Sequence, residues 1–280
     1  MVLNIQHPPV VIGGVGGSGT RLIAECLKQL GFFLGSDLNN ANDNLWFTLL
    51  FMRPEILLLT QTEVQDLIWI LTLGMLGTEQ FTQQQVQRIE KLARRKHAHR
   101  SREWLEDRAR LLIKENKIER DNVLWGWKAP NSHIILRHMI QAIPKVKYVH
   151  VMRNGLDMAY SRNQNQPRLW GEHFTGKPFK STPEYSLKYW CAVHRRVLKE
   201  SKPIDDNFLL LNYDKFCLEP EEGIKDLCHF LGIERDATSR ADLLALVRPP
   251  SSIGRFQAHG THMFDPADVA YVEDLGFAVR

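Results

Sequence analysis

Gly13-Gly14-Val15-Gly16-Gly17-Ser18-Gly19-Thr20-Arg21 is the stretch that decides the fold. It follows Val10, Val11 and Ile12, a β-branched run that reads as a buried strand over residues 9–15. It precedes Leu22, Ile23, Cys26, Leu27 and Leu30, which recur at helical spacing, with Gly31 placed to stop the helix. A glycine-rich turn between a strand and a helix lets backbone N–H groups converge on an anion. The positive end of the helix dipole strengthens the attraction. The first expectation is therefore an α/β domain that binds a phosphorylated ligand on this loop.

The loop taken alone fits more than one ligand. A nucleoside triphosphate site wants Lys and then Ser or Thr after the last glycine. Here Gly19 is followed by Thr20 and Arg21, so both the phosphate-binding lysine and a magnesium-ligating hydroxyl are missing. A dinucleotide site is satisfied by Gly14, Gly16 and Gly19 as GxGxxG, with Asp37 near the distance expected of a ribose-binding acid. Against it, the strand before Asp37 has room only for residues 32–34.

Working outward, residues 44–116 read as nearly all helix, with Thr62/Gln65 and Thr82/Gln85 as capping boxes. Strand–helix alternation then resumes. Residues 123–127 read as a strand, 131–143 as a helix and 146–152 as a further strand. Residues 154–165 read as a helix, and 166–181, rich in Gly, Pro and polar residues, as a mobile loop. Thr182 and Pro183 open a helix to about residue 201, residues 208–211 form a short strand, and 221–231 form a helix closed by Gly232.

The strand at 146–152 leads into Arg153-Asn154-Gly155-Leu156-Asp157-Met158-Ala159-Tyr160-Ser161. Arg153 can pair bidentately with a phosphate. Ser161 lies eight residues on, about two helical turns, and can approach the same side. Asp157 can accept hydrogen bonds that hold the loop's shape. This segment resembles the 3′-phosphate motif of sulfotransferases, Arg-Asn-Pro-x-Asp-x-x-x-Ser, with Gly155 in place of the proline. The first loop resembles the same family's 5′-phosphosulfate loop, its core kept as Ser18, Gly19 and Thr20. Leu211-Asn212-Tyr213-Asp214-Lys215-Phe216 with Phe230-Leu231-Gly232, and Ser251-Ser252-Ile253-Gly254-Arg255-Phe256, are similar to two later family segments.

The resemblance implies a P-loop-NTPase-like three-layer α/β fold with a central parallel sheet, here carrying a large helical insertion at 44–120 within a single domain of residues 1–280. It implies a sulfotransferase that moves a sulfuryl group from 3′-phosphoadenosine-5′-phosphosulfate (PAPS) to a hydroxyl or amine acceptor. The product would be 3′,5′-phosphoadenosine (PAP), and no metal is needed. Gly16, Gly17, Ser18, Gly19, Thr20 and Arg21 would hold the 5′ end of the donor. Arg153, Ser161, Gly254 and Arg255 would hold its 3′-phosphate, and Tyr213 would lie near the adenine.

Sulfuryl transfer needs an in-line hydroxyl, a base and positive charge on the leaving oxygen. The family usually places Lys or Arg just before its Ser-Gly-Thr core, where this chain has Gly17. Arg21 or Lys128 must then supply the charge. The candidates for the base are His133, Asp43 and Asp37, while His150 sits within a strand and reads as packed. The insertion, with Trp46, Phe47, Phe51, Trp69 and Leu73, either builds the acceptor side or packs on the sheet. An apolar excess there would suit a lipid-like acceptor or a homodimer face as well as a small molecule or glycan. A donor-binding but inactive homologue and an NAD(P)-dependent oxidoreductase are the rival readings.

Composition sets the outer bounds. With 280 residues, 44% apolar and 24% charged, the chain can bury a core without disulfides. A formal charge of +4 suits a small anionic ligand and does not call for nucleic acid. Four scattered cysteines show no zinc spacing. Arg53 and Pro54 interrupt the most apolar stretch, 45–59, and the N-terminus carries no signal-peptide pattern. A cytoplasmic protein is expected.

Overall fold

Successive side chains of a strand point to opposite faces, and β1 (Val10–Gly14) uses this to build two cores. Val11 packs into one apolar cluster, while Val10 and Ile12 pack into another across the sheet. In this computed structural model, which describes residues 7–234 and 237–280, β1 is joined by β2 (Gly126–Lys128), β3 (Lys147–Met152) and β4 (Phe208–Asn212). All pairings are parallel and the order is β2-β1-β3-β4. Val11 stands opposite Trp127 on one side and Tyr148 on the other, and Val149 opposite Leu209. The β3 side chains divide as those of β1 do: Tyr148 and Met152 join the first cluster, Val149 and Val151 the second. A sheet apolar on both faces must be covered on both, which makes three layers.

Between β1 and β2 lie α1 (Thr20–Gln29), α2 (Leu45–Phe51), α3 (Gln61–Leu76), α4 (Gln83–Arg94) and α5 (Arg102–Glu115). Next, α6 (Leu136–Ala142) precedes β3, and α7 (Gly155–Ala159), α8 (Asn165–Thr175) and α9 (Pro183–Ser201) precede β4. The chain closes with α10 (Tyr213–Leu218), α11 (Pro220–Leu231), α12 (Ala237–Leu246) and α13 (Pro266–Asp274). Trp46, Phe47 and Phe51 of α2 belong to the same buried cluster as Trp127 and Tyr148, so much of the apolar content at 44–120 is core. Among the described residues no helix is long and apolar enough to cross a membrane.

Local sequence explains most boundaries. Thr82 and Gln85 form a reciprocal capping box at α4, and Thr182 accepts from the Tyr185 amide with Pro183 in the first turn of α9. Four boundaries differ from the sequence expectation. The box that starts α3 is Thr60 with Glu63, two residues before Thr62. Both registers fit the pattern, but a carboxylate at the third position also interacts with the helix's positive end. The strand expected at 123–127 is β2, which begins only at Gly126, and the helix expected at 131–143 starts as a 3₁₀ turn, Pro130–Ile135. The helix expected to reach residue 165 stops at Ala159. Residues 166–181, expected as a loop, contribute most of α8.

Candidate functional site

In the order β2-β1-β3-β4, the chain leaves β1 to pair on one side with β2, then crosses to the other side with β3. Connections depart in opposite directions from the carboxyl ends of β1 and β3, which opens a crevice there. Both quoted motifs lie at this crevice, one after Gly14 and one after Met152.

The first motif ends in an uncapped helix. Gly19 occupies the N-cap of α1 in the left-handed region (φ 95°), with no side chain capping the first turn and no acid in it. The Ser18 hydroxyl is buried and has no protein partner. Thr20 is also buried and Arg21 is exposed. Uncapped amides plus an orphaned buried hydroxyl are what an anion would satisfy, so these residues fit a bound phosphate or sulfate. Gly17 has φ 97°, a conformation that disfavours any side chain, which gives a physical reason why no Lys or Arg stands there. Ser161 Oγ lies 3.7 Å from where a Cβ on Gly17 would be.

The second motif is tied down from three directions. Arg153 is 8% exposed; its guanidinium donates to Ser252 Oγ at 2.7 Å and pairs with Asp214 at 3.3 Å. The other Asp214 oxygen accepts from the Asn154 amide at 2.9 Å. Burial pushes the Asp214 carboxyl up, against the pull of the Asn154 amide and Arg153. Asp157 accepts from the Gly254 and Phe256 amides at 2.9 and 3.0 Å, and so holds the late loop against this one. Arg255 turns back to donate to the Tyr160 carbonyl at 3.1 Å. A Cβ on Gly155 would stand 2.8 Å from the Trp190 ring, so close packing of α7 on α9 excludes larger residues. Ser161 reaches Gly17 from the turn after α7, where its hydroxyl accepts from the Asn163 amide at 3.2 Å, and not from a second helical turn. Tyr213 joins the two motifs: its ring packs directly on Gly19 and its centroid is 6.0 Å from the Arg153 guanidinium.

Beside the glycine loop is a cleft of about 370 Å³. Gly16, Asp43, Phe47, Asn131 and Gln166 line it, with His97 and Arg100 across from them. Lys128 ends β2 beneath it, 2% exposed, forms an ion pair with Asp43 and donates to the Ala41 carbonyl at 3.1 Å. Burial lowers the Lys128 pKa, Asp43 opposes that, and Arg21 adds to it. Arg21 and Lys128 are therefore close enough to repel.

The other two acids and bases lie elsewhere. His133 is fully buried and does not line the cleft; burial and Arg196 hold its pKa down at about 3. Its Nε2 lies 3.4 Å from Gln166 Oε1. Asp37, which a dinucleotide site would need for a ribose, is paired with Arg108 at 2.9 Å. His150 is buried against His133 and His194.

Sequence reasoning missed Gln166. Its amide donates to the Gly14 carbonyl at 3.2 Å and its oxygen accepts from Tyr189 at 3.3 Å, so it connects the glycine loop to α9. The roles of Asp214 and Ser252 were also missed, although both stand inside quoted segments. Among the described residues no group of three or more His, Cys, Asp or Glu is placed to hold a metal.

The profile of the sulfotransferase family matches residues 8–237. The chain is a member of the sulfotransferase family. One solved structure supports the fold, and two others are similar to a lesser degree. The sulfotransferase domain from the curacin biosynthetic pathway is 12% identical, with 99% of this chain and all of that one covered, at a TM-score of 0.51. The sulfotransferase domain of the Synechococcus PCC 7002 olefin synthase is 16% identical, with both chains wholly covered, at 0.49. A sulfotransferase from Alicyclobacillus acidocaldarius is 14% identical over 97% of this chain and 96% of that one, at 0.46. No curated protein sequence matches this chain.

For this sulfotransferase, Gly19→Ala is expected to cost about 2 kcal/mol, because the left-handed N-cap and the Tyr213 ring both oppose a Cβ. A thermal melt should show Tm several degrees lower. An unchanged Tm would mean that the loop can be rebuilt around a side chain.

Proposed function

We propose that this sulfotransferase uses PAPS as donor and transfers its sulfuryl group to a hydroxyl in the cleft beside Asp43. The observation that carries this reading is the convergence of two phosphate-sized sites at one crevice. One is the uncapped α1 end with its unpartnered Ser18 hydroxyl; the other is buried Arg153, to which the family resemblance adds Ser161, whose Oγ stands beside Gly17. A donor bearing phosphate at both ends of a nucleoside needs two such sites, and Tyr213 lies between them for the base to stack on. Arg255 would reach the 3′-phosphate by giving up its backbone carbonyl partner.

Bound PAPS supplies an activated sulfur–oxygen bond. Asp43 is the base we assign. It lines the cleft, and it would take the acceptor proton as the acceptor oxygen bonds to sulfur and the bond from sulfur to the 5′-phosphate oxygen breaks. Lys128, beside Asp43 and near Arg21, is the cation assigned to that leaving oxygen in place of a residue at 17. Helix α2 and the segment between α4 and α5 line the acceptor side, with Phe47 as an apolar wall. The cytoplasm, where thiols stay reduced, suits a chain whose four cysteines are all buried and form no disulfide.

Calorimetric titration with PAP, with NADP as control, tests the donor. PAP is expected to bind and NADP not. Arg153→Ala removes charge-assisted hydrogen bonds worth about 1.5–3 kcal/mol, so PAP should bind about 10- to 100-fold more weakly. Tight NADP binding, or PAP affinity indifferent to Arg153, would refute the reading. Labelled PAPS offered with a panel of hydroxyl compounds separates an active enzyme from an inactive donor-binding homologue.

A further inference from the structure

The wall of the cleft opposite the glycine loop carries positive charge that sulfuryl transfer does not need. Arg53 creates it. Its guanidinium, on a residue 6% exposed, donates to the carbonyls of Leu92 at 2.6 Å and Lys96 at 2.9 Å. Leu92 lies in the last turn of α4, where its carbonyl also accepts from the Arg95 amide, and Lys96 lies just beyond the helix. The clamp holds residues 95–100 over the cleft, so that His97, His99 and Arg100 all line it.

The geometry within that segment is defined. The His99 amide donates to His97 Nδ1 at 3.1 Å, so the neutral His97 ring carries its proton on Nε2. The Arg100 guanidinium lies 4.6 Å from the Trp104 ring centroid, which steadies it without neutralising it. Burial first, and then Arg53, His99 and Arg100, hold the His97 pKa down at about 4, so His97 meets an anion as a neutral ring. Opposite charge is scarce. Asp43 is the one carboxylate among the residues that line the cleft, and Lys128 already pairs with it. Phe47 and Met52 give the space between an apolar side.

We propose that the acceptor is a hydroxyl compound bearing an anionic group, a carboxylate or a phosphate, with the anion held by Arg100, His99 and His97 and the hydroxyl lying at Asp43. The hydroxyl half rests on the sulfuryl-transfer reading; the anion half does not. An acceptor of this shape would be fixed at both ends, with its apolar middle on Phe47 and Met52. Fixing both ends is what sets a hydroxyl in line with a donor.

Matched probes test this on the full chain by calorimetry, with and without PAP. The pairs are 4-hydroxybenzoate with its methyl ester and 3-hydroxyoctanoate with its methyl ester, and 4-hydroxyphenyl phosphate tests phosphate against carboxylate. Each acid is expected to bind about tenfold or more tightly than its ester, with the gap narrowing as salt is raised. In an Arg100→Gln/His99→Gln variant the gap should close while PAP affinity holds. Equal binding of acid and ester, no saturable binding of any acid at about 10 mM, or a preference that survives in the variant would overturn the proposal. Acids that bind normally to a protein indifferent to PAP would remove the donor reading and leave the anion site standing.

Discussion

Lys128→Met is expected to reduce kcat about 100- to 1,000-fold while leaving PAPS affinity within a few-fold of the wild type, because the bridging oxygen gains its charge only as the bond breaks and one well-placed cation there is worth about 3 kcal/mol. The reason begins in the backbone. Gly17 sits at φ 97°, so the loop cannot offer a side chain to the leaving oxygen. A buried cation paired with a cleft residue is then Lys128, 3% exposed in its side chain, where water screens it little. Arg21 is exposed, and Arg21→Ala should lose less. The partner behaves differently in stability. Asp43 is 28% exposed and can be hydrated once Lys128 is gone, whereas Asp43→Asn strands a buried ammonium with the Ala41 carbonyl. Breaking a buried pair from that side costs more. Urea melts should therefore rank Asp43→Asn below Lys128→Met, while both lose kcat. Turnover by Lys128→Met within threefold of the wild type would remove Lys128 from the chemistry. A His133→Ala variant that loses kcat and retains stability would move the base away from Asp43.

What was legible in the sequence was what lies contiguous in it. The strand–glycine loop–helix run and the strand–Arg153 run each carry their geometry in a dozen residues, so the sheet and its crevice follow from reading them. The boundaries of α3 and α8 depended on competition that a linear pattern does not resolve. Thr60/Glu63 and Thr62/Gln65 are overlapping versions of one signal. The polar, Gly- and Pro-containing stretch after residue 165 becomes helical because Trp170 is wholly buried and donates to Asn131 Oδ1 at 2.8 Å, a tertiary gain that overrides propensity. Pairs distant in sequence were the least visible. Lys128 and Asp43 are 85 positions apart, and Gln166 meets Gly14 across 152. His133 illustrates the converse: its place just after Lys128 made it a candidate base, yet the 3₁₀ turn after β2 directs it into the core.

That core makes a second large effect predictable, a steep loss of stability between about pH 6.5 and pH 4.5. His133, His150 and His194 are buried edge to face in one cluster, with the His150 ring centroid 6.4 Å from that of His133 and 5.1 Å from that of His194. Burial holds His133 down at about 3 and His194 at about 4, and drives His150 well below its ordinary value, helped by the other two rings. In the unfolded chain each imidazole takes a proton near pH 6.5. In the fold each refuses it until much lower pH. Between those points the unfolded state binds more protons, so stability rises with pH and is lost as pH falls, by about 1.4 kcal/mol per pH unit for each ring. His97, held at about 4, and His138, also lowered by burial, add to the loss, while Asp37 and Asp214, whose carboxyls burial pushes up, act in the opposite sense and titrate from a lower starting point. A fall of several kcal/mol by pH 5 is a large part of the 5–15 kcal/mol that typically holds a domain together. Urea midpoints measured from pH 7.5 to 5 should drop steeply, and His150→Phe should flatten the curve, because it removes one of the protons that unfolding takes up, at the cost of the Tyr148 hydroxyl's contact with His150 Nδ1. The glycine loop should fail first, since His133 meets Gln166 and Gln166 holds the Gly14 carbonyl, so PAP binding is expected to weaken before the far-UV signal does. A flat urea midpoint across this range, or a His150→Phe curve as steep as the wild type, would mean that the cluster takes up protons without opening.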